Sequence, residues 1–308
     1  MAKLSPQDLY NNYRKGFSGC LWEEHIYEEL IESSKYAYFK DGAKKIKNSG
    51  KGKLSTPYKS LLKFDKKAFD ERQTTGDCVS HATRNACDIS RAVEIDIHKH
   101  KKGWVARGAT EAIYGARGHS GQGMSCARAA TFVTQTGGIL VRKNYSGVAD
   151  FSKYNGNLGS GWGGRGLPDK VIDLANDHQI KTASLIRTIE EARDAIANGY
   201  SISVCSNVGF SNKRDKKGIA KRSGSWAHAM AWIACDDTGS EPLFLVQNSW
   251  GKWNDGGHPD WGPIPDGSFL ITSDVAANML AQNGSYAFSD FDGFPVQKLP
   301  DYGFEEYL

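Results

Sequence analysis

The sequence predicts an α+β protein whose first half is mainly helical and whose second half is mainly β. Three observations carry this reading. Between Cys78 and His98, the apolar residues Ala82, Ala86, Ile89, Val93 and Ile97 recur at spacings of three and four, which makes one apolar helix face. After about residue 200, short apolar runs bounded by turn residues replace that periodicity, at Ile202 to Cys205, Ala229 to Cys235, Leu243 to Gln247 and Phe269 to Thr272. A chain of 308 residues with 34 Gly and 11% aromatic residues also has room for two lobes, each with a core, and for many tight turns.

Taken in order, Leu21 to Tyr38 reads as a helix with apolar positions at Leu21, Ile26, Tyr27, Leu30 and Ile31. Lys40 to Lys53 is rich in Lys and Gly and reads as a loop. The long helix opens at Cys78, just after Gly76 and Asp77. A second helix is expected over Ser125 to Gln135, stopped by Gly137-Gly138. Phe151 to Gly166 reads as a Gly-rich loop. Its Gly159-Ser160-Gly161-Trp162-Gly163-Gly164 satisfies the spacing of a dinucleotide fingerprint, but no apolar strand precedes it. Thr188 with Glu191 forms a capping box that opens another helix, ending near Asn198-Gly199.

The bulk composition excludes several function classes. A formal charge of +4 is mild for this length and makes no case for nucleic-acid binding. There is no run of about 18 apolar residues, as a membrane span would need. Met1 to Phe17 lacks the apolar stretch and cleavage site of a signal peptide. Six cysteines (Cys20, Cys78, Cys87, Cys126, Cys205 and Cys235) lie scattered without a CxxC pair, against a zinc ribbon or a dense disulfide framework. A reducing compartment fits that usage best. His98-Lys99-His100 has no evident third ligand, so neither metal nor cofactor is expected. The basic run from Lys213 to Arg222 reads as a solvated loop.

The chemistry is carried by a cysteine, a histidine and an asparagine. A thiol nucleophile needs its thiolate stabilised, a base beside it and a group that orients the base. Cys78 at a helix N-terminus meets the first condition, through unpaired backbone N–H groups and the helix dipole. A buried, inert cysteine is the ordinary alternative. His228 stands at the mouth of the apolar run Ala229-Met230-Ala231-Trp232-Ile233. Another run, Leu243 to Val246, ends in Gln247-Asn248-Ser249-Trp250-Gly251. Two adjacent strands would set Asn248 beside His228, with Trp250 shielding the bond between them. His81, one helical turn from Cys78, reads as a packing residue rather than the base.

These segments resemble those of papain-like cysteine peptidases. Gly76-Asp77-Cys78-Val79-Ser80-His81-Ala82 resembles the nucleophile segment, Trp226-Ala227-His228-Ala229-Met230 the histidine strand, and Gln247-Asn248-Ser249-Trp250-Gly251 the Asn-Ser-Trp-Gly motif. The order and the spacings, 150 residues and then 20, agree, and the likeness covers about residues 66 to 275. It implies a two-lobe fold with a helical first lobe, an antiparallel β-barrel-like second lobe and the site in the cleft between them. It further implies Cys78 as nucleophile, His228 as base, Asn248 as its orienter, and an oxyanion site from the Cys78 N–H and a glutamine. Gln73 is the candidate, although it lies five residues before Cys78 where the family has six. Gly121 and Gly123 resemble the strip that binds substrate backbone. Val204 and Ala229 would wall the specificity pocket, with Trp250 beside the site. Thr75 stands where secreted relatives have a disulfide cysteine.

The implied organisation is an N-terminal extension (1–65), a peptidase domain (66–280) and a C-terminal tail (281–308). The extension is short for an inhibitory pro-segment. Two insertions, Ser211 to Gly224 and Lys252 to Gly267, would sit near the site rim. The implied partner is a polypeptide substrate. The tail, with Phe288, Phe291, Phe294, Tyr302, Phe304 and Tyr307 among acidic residues, suits docking onto a larger assembly. The alternative is therefore a structural or assembly protein, for example a component of a viral particle, that keeps the fold with or without activity. The matching locations are non-secreted: the cytoplasm, or the interior of such a particle.

Overall fold

The apolar stripe of Cys78 to His98 becomes a helix of 21 residues, on which both halves of the protein pack. The computed structural model describes residues 5, 7, 8, 10, 11, 18–98 and 103–299. Strand β1 (Cys20–Leu21) leads into helices α1 (Glu24–Ser33) and α2 (Phe39–Gly42), then strand β2 (Leu54–Ser55) and helix α3 (Tyr58–Phe64). The long helix α4 (Cys78–His98) is followed by α5 (Glu111–Gly115), β3 (Met124–Ser125), α6 (Cys126–Thr131), the pair β4 (Asn144–Tyr145) and β5 (Ala149–Asp150), α7 (Gly156–Gly163) and α8 (Asp169–Asn176). The β-rich half holds β6 (Thr182–Leu185), α9 (Ile189–Ala197), β7 (Ile202–Arg214), β8 (Ala220–Asp236), β9 (Leu243–Gln247), β10 (Asp255–Gly256), β11 (Ser268–Ile271), α10 (Ser273–Leu280) and β12 (Ser285–Ser289).

The main sheet runs β11-β9-β8-β7-β12-β6, with β2 added to β8 and β10 to β7. Among the described residues its end strands, β11 and β6, do not pair, so the sheet is open rather than barrel-like. Strand alternation decides what each face meets. On β8, Met230 and Trp232 enter a core with Trp226, Phe244 and Phe269. Ala229 lies on the other face, in the core that includes Cys78, Ala82 and Ala86 of α4. Ala231 and Ile233 meet Ile89 and Val93 further along the same helix. Small residues at 229 and 231 leave room for the helix against the sheet.

Several elements differ from expectation. The helix expected from Leu21 starts only at Glu24, because Cys20 and Leu21 are strand, hydrogen-bonded to β3. The Lys40 to Lys53 stretch holds one helical turn and a 3₁₀ turn, pinned by buried Phe39 and Ile46. Over Ser125 to Gln135, Ser125 is the cap of α6, accepting from the Arg128 N–H at 3.2 Å, and the last turn is a π turn over Phe132–Thr136. The Gly-rich stretch contains a helix, α7, capped by Asn155. Its glycines serve close packing: a Cβ on Gly163 would fall 2.0 Å from the Arg117 guanidinium carbon. Arg117 in turn donates to the Gly159, Ser160 and Gly121 carbonyls at 3.0, 2.9 and 2.9 Å. Thr188 caps α9 as expected, accepting from the Glu191 N–H at 3.2 Å.

Strands β7 and β8 extend well past their apolar cores into a long hairpin formed by the first insertion. The second insertion packs on it through β10 and the Lys213–Asp255 ion pair at 2.6 Å. Of the stretch 281–308, Ser285–Ser289 is an internal strand of the sheet, and Phe288 and Phe294 are buried in the protein's own core. Tyr302, Phe304 and Tyr307 lie outside the described residues. No described helix is long and apolar enough to cross a membrane.

Candidate active site

Cys78 is the first residue of α4, at the positive end of a long helix dipole. His228 lies on β8 opposite Ser206 of β7, and Asn248 follows the last residue of β9. Pairing of Ala231 with Gln247 brings those two positions side by side. The His228 Nε2–H donates to Asn248 Oδ1 at 2.8 Å, and the same oxygen accepts the Ser249 N–H at 2.7 Å. With its proton on Nε2, the neutral imidazole carries its lone pair on Nδ1. Cys78, His228 and Asn248 are 0, 0 and 1% exposed. Burial pushes the His228 imidazole down to about 3, against the opposing pull of the Asn248 hydrogen bond. The Trp250 ring lies 4.6 Å from the imidazole and covers it.

Gln73 is bound to this same segment despite its altered spacing. Its N–H donates to the Ser249 carbonyl at 2.9 Å. Its Oε1 accepts from Ser249 Oγ at 2.5 Å and from Trp250 Nε1 at 3.1 Å. Its Nε2 donates one hydrogen to the Thr75 carbonyl at 2.7 Å and keeps a second.

Sequence reasoning missed the residues that fasten this loop. Gln122 Oε1 accepts from Thr75 Oγ1 at 2.8 Å and from the Gly76 N–H at 2.6 Å, joining the glycine strip to the turn before Cys78. Tyr154 donates to Asp77 Oδ2 at 2.8 Å and accepts the Thr74 N–H at 3.0 Å. His81 lies buried 3.5 Å from Asp77, a packing position within this polar cluster. Polar residues far apart in the chain gave no local signal of these contacts.

The substrate-site residues divide. Gly123 has φ +84°, and a Cβ there would fall 2.8 Å from the Ser18 carbonyl oxygen, whereas Gly121 is exposed. Val204 faces the core with Met230 and Trp232. Its neighbour Cys205 takes the cleft side instead, as alternation requires. A cavity of about 250 Å³ beside β3 is lined by Cys205, Cys126, Ala127, Ala227 and Tyr286. Cys126 and Cys205 are joined in a disulfide that ties α6 to β7 across 79 residues of sequence. Scattered spacing hid that pair, because pairing follows proximity in the fold. A disulfide also removes the ground for reading the cysteines as those of a reducing compartment.

The cleft holds the protein's own N-terminal strand. The Gly19 N–H donates to the Ala227 carbonyl at 2.8 Å, and the Gly19 carbonyl accepts the Met124 N–H at 3.2 Å. Cys20 and Leu21 continue as β1, parallel to β3. Tyr10 packs on Trp226 and Trp253, with ring centroids at 5.7 and 5.8 Å. A segment read as an extension thus covers the site.

No family model matches the chain, and no curated protein matches it. Solved structures do. The digestive procathepsin L2 proteinase of Tenebrio molitor larval midgut aligns with TM-score 0.50 and 14% identity, over 92% of this chain and 81% of that one. The proform of the ragweed pollen allergen Amb a 11, a cysteine protease, aligns with TM-score 0.50 and 14% identity, over 96% of this chain and 77% of that one. At such identities the likeness speaks for architecture: the chain has the two-lobe fold of papain-like cysteine proteases.

Proposed function

We propose that the protein is a cysteine-dependent hydrolase of peptide bonds, with Cys78 as nucleophile, His228 as base and Asn248 as its orienting residue. The observation that carries the reading is the buried 2.8 Å hydrogen bond from His228 to Asn248, set against the helix that begins at Cys78. Cys78 gives its proton to His228 Nδ1 and attacks the substrate carbonyl. The developing oxyanion is held by the Cys78 N–H and the second hydrogen of Gln73 Nε2. The imidazolium then protonates the leaving amine. Water, activated by the same imidazole, releases the acid from the thioester.

Substrate backbone lies along Gly121 to Gly123, and a side chain enters the cavity beside Cys205 and Ala227. Strand β1 pairs with Met124 and Ser125 at the end of that strip, and the Ser18 carbonyl lies against Gly123, which supports reading the present conformation as a resting precursor. Labelling with a thiol-directed acyl probe, followed by mapping of the modified cysteine, tests the assignment. Label on Cys78, and loss of peptide hydrolysis in Cys78→Ala, are expected. Full hydrolysis by Cys78→Ala would end the reading.

A further inference from the structure

A thiol and a disulfide share the cavity beside the cleft. Cys20 lines it together with Cys126 and Cys205. Register places Cys20 opposite Met124 and Leu21 opposite Ser125, so Cys126 is the next residue along the strip. The backbone bonds of Gly19 to Ala227 and Met124 hold Cys20 there. Cys20 is not itself in a disulfide, and it packs against the core that contains both bridged cysteines. A thiol delivered to a disulfide by its own chain reacts at an effective concentration that no external thiol matches.

We propose that Cys20, Cys126 and Cys205 form a thiol–disulfide exchange site that ties the N-terminal strand covalently across the cleft. The Cys20 thiolate attacks the sulfur of Cys126 or Cys205. A new S–S bond forms as the Cys126–Cys205 bond breaks, and the displaced sulfur takes up the proton that Cys20 lost. One disulfide is consumed and one is made, so neither oxidant nor reductant is needed. Burial pushes the Cys20 thiol well up, and the neighbouring Cys78 thiol adds to this. Among the described residues, the other titratable groups facing the cavity are Tyr286 of β12 and Glu23, whose carboxylate is held by Arg128 at 2.8 and 2.5 Å. Exchange is therefore slow near neutral pH and faster in base. Given the hydrolase reading above, the tied strand keeps the enzyme closed until a thiol reductant frees it.

Non-reducing peptide mapping of the purified full chain tests this, after incubation without reductant between pH 7 and 9.5, acid quench and alkylation. Peptides joining Cys20 to Cys126 or to Cys205 are expected, with the remaining cysteine of the pair alkylated. Their rate of formation should rise roughly tenfold per pH unit. In Cys20→Ser, the Cys126–Cys205 pair should be recovered intact at every pH, and a circular dichroism spectrum like the parent's checks that the variant folds. A sole Cys126–Cys205 bridge with Cys20 alkylated at every pH would overturn the proposal, and so would Cys20 bonded to Cys78. The map needs no substrate. A positive map in a chain that hydrolyses nothing would sink the hydrolase reading and leave the exchange site standing.

Discussion

The indole nitrogen of Trp250 donates a hydrogen bond to the side-chain oxygen of Gln73 at 3.1 Å, so the residue that covers His228 also holds the candidate oxyanion donor. The loop before Cys78 is anchored at this glutamine, through Ser249 as well as Trp250. Replacing Gln73 by Ala should lower kcat about 10²-fold with a smaller effect on KM, because the donor acts on charge that develops after binding. Steady-state kinetics check this. An unchanged kcat would remove Gln73 from the oxyanion site.

Gly19→Pro deletes the N–H that bonds the Ala227 carbonyl at 2.8 Å. Losing one such bond costs the closed state about 1 kcal/mol, or roughly a fivefold rise in the open population. Labelling of Cys78 by a thiol probe should speed up by about that factor. Slower labelling, or none of the rise, would mean that β1 does not limit access.

Acid should lift the same strand. His228 is held down to about 3 by burial, whereas an imidazole reached by water titrates near 6.5. The open and unfolded states therefore bind a proton that the closed fold refuses. Stability of the closed form is complete above about pH 6.5 and is lost as the pH falls toward 3, by up to about 1.4 kcal/mol per unit. Hydrogen exchange at the Gly19 amide, corrected for its intrinsic rate, should show increasing opening between pH 7 and 4.5. His228→Gln should flatten that dependence.

Glu94 of α4 supplies an opposite dependence. Burial and the nearby Asp290 carboxylate raise it to about 8, while its Oε1 accepts the Asp290 N–H at 3.2 Å. A carboxyl raised in the fold contributes stability below its ordinary pKa of 4.5, and that stability drains away as pH rises through 8. Glu94→Gln keeps the acceptor without the charge. It should be more stable than the parent by about 1–2 kcal/mol at pH 8.5, with the gap closing near pH 4.5. Denaturant melts at the two pH values measure it.

What the sequence revealed follows from the range over which each signal acts. Helix α4 and the Thr188 cap were legible because their patterns repeat within a few residues. Asn248 was legible because a whole segment, Gln247 to Gly251, carries it. Helix α7 was not, since its glycines serve packing against Glu111, Tyr114 and Arg117, which no local pattern records. The outer halves of β7 and β8 were missed because they are polar and partly exposed, so the apolar runs mark only their inner parts. Strand β1 is two residues long and exists only because β3 pairs with it. Val204 and Cys205 are adjacent, and choosing between them needs the strand's phase, which the fold supplies.

Strand β12 lies between β6 and β7, although it is the last strand among the described residues. During synthesis, both of its neighbours leave the ribosome long before Ser289 does. Until then each exposes a row of unpaired backbone groups, the kind of edge that recruits other chains. The sheet, and the wall of the cleft that carries His228, are thus finished only near the end of translation. A ribosome stalled before Ser285 would display a nascent chain that carries Cys78 and His228 but whose sheet still lacks one of its inner strands.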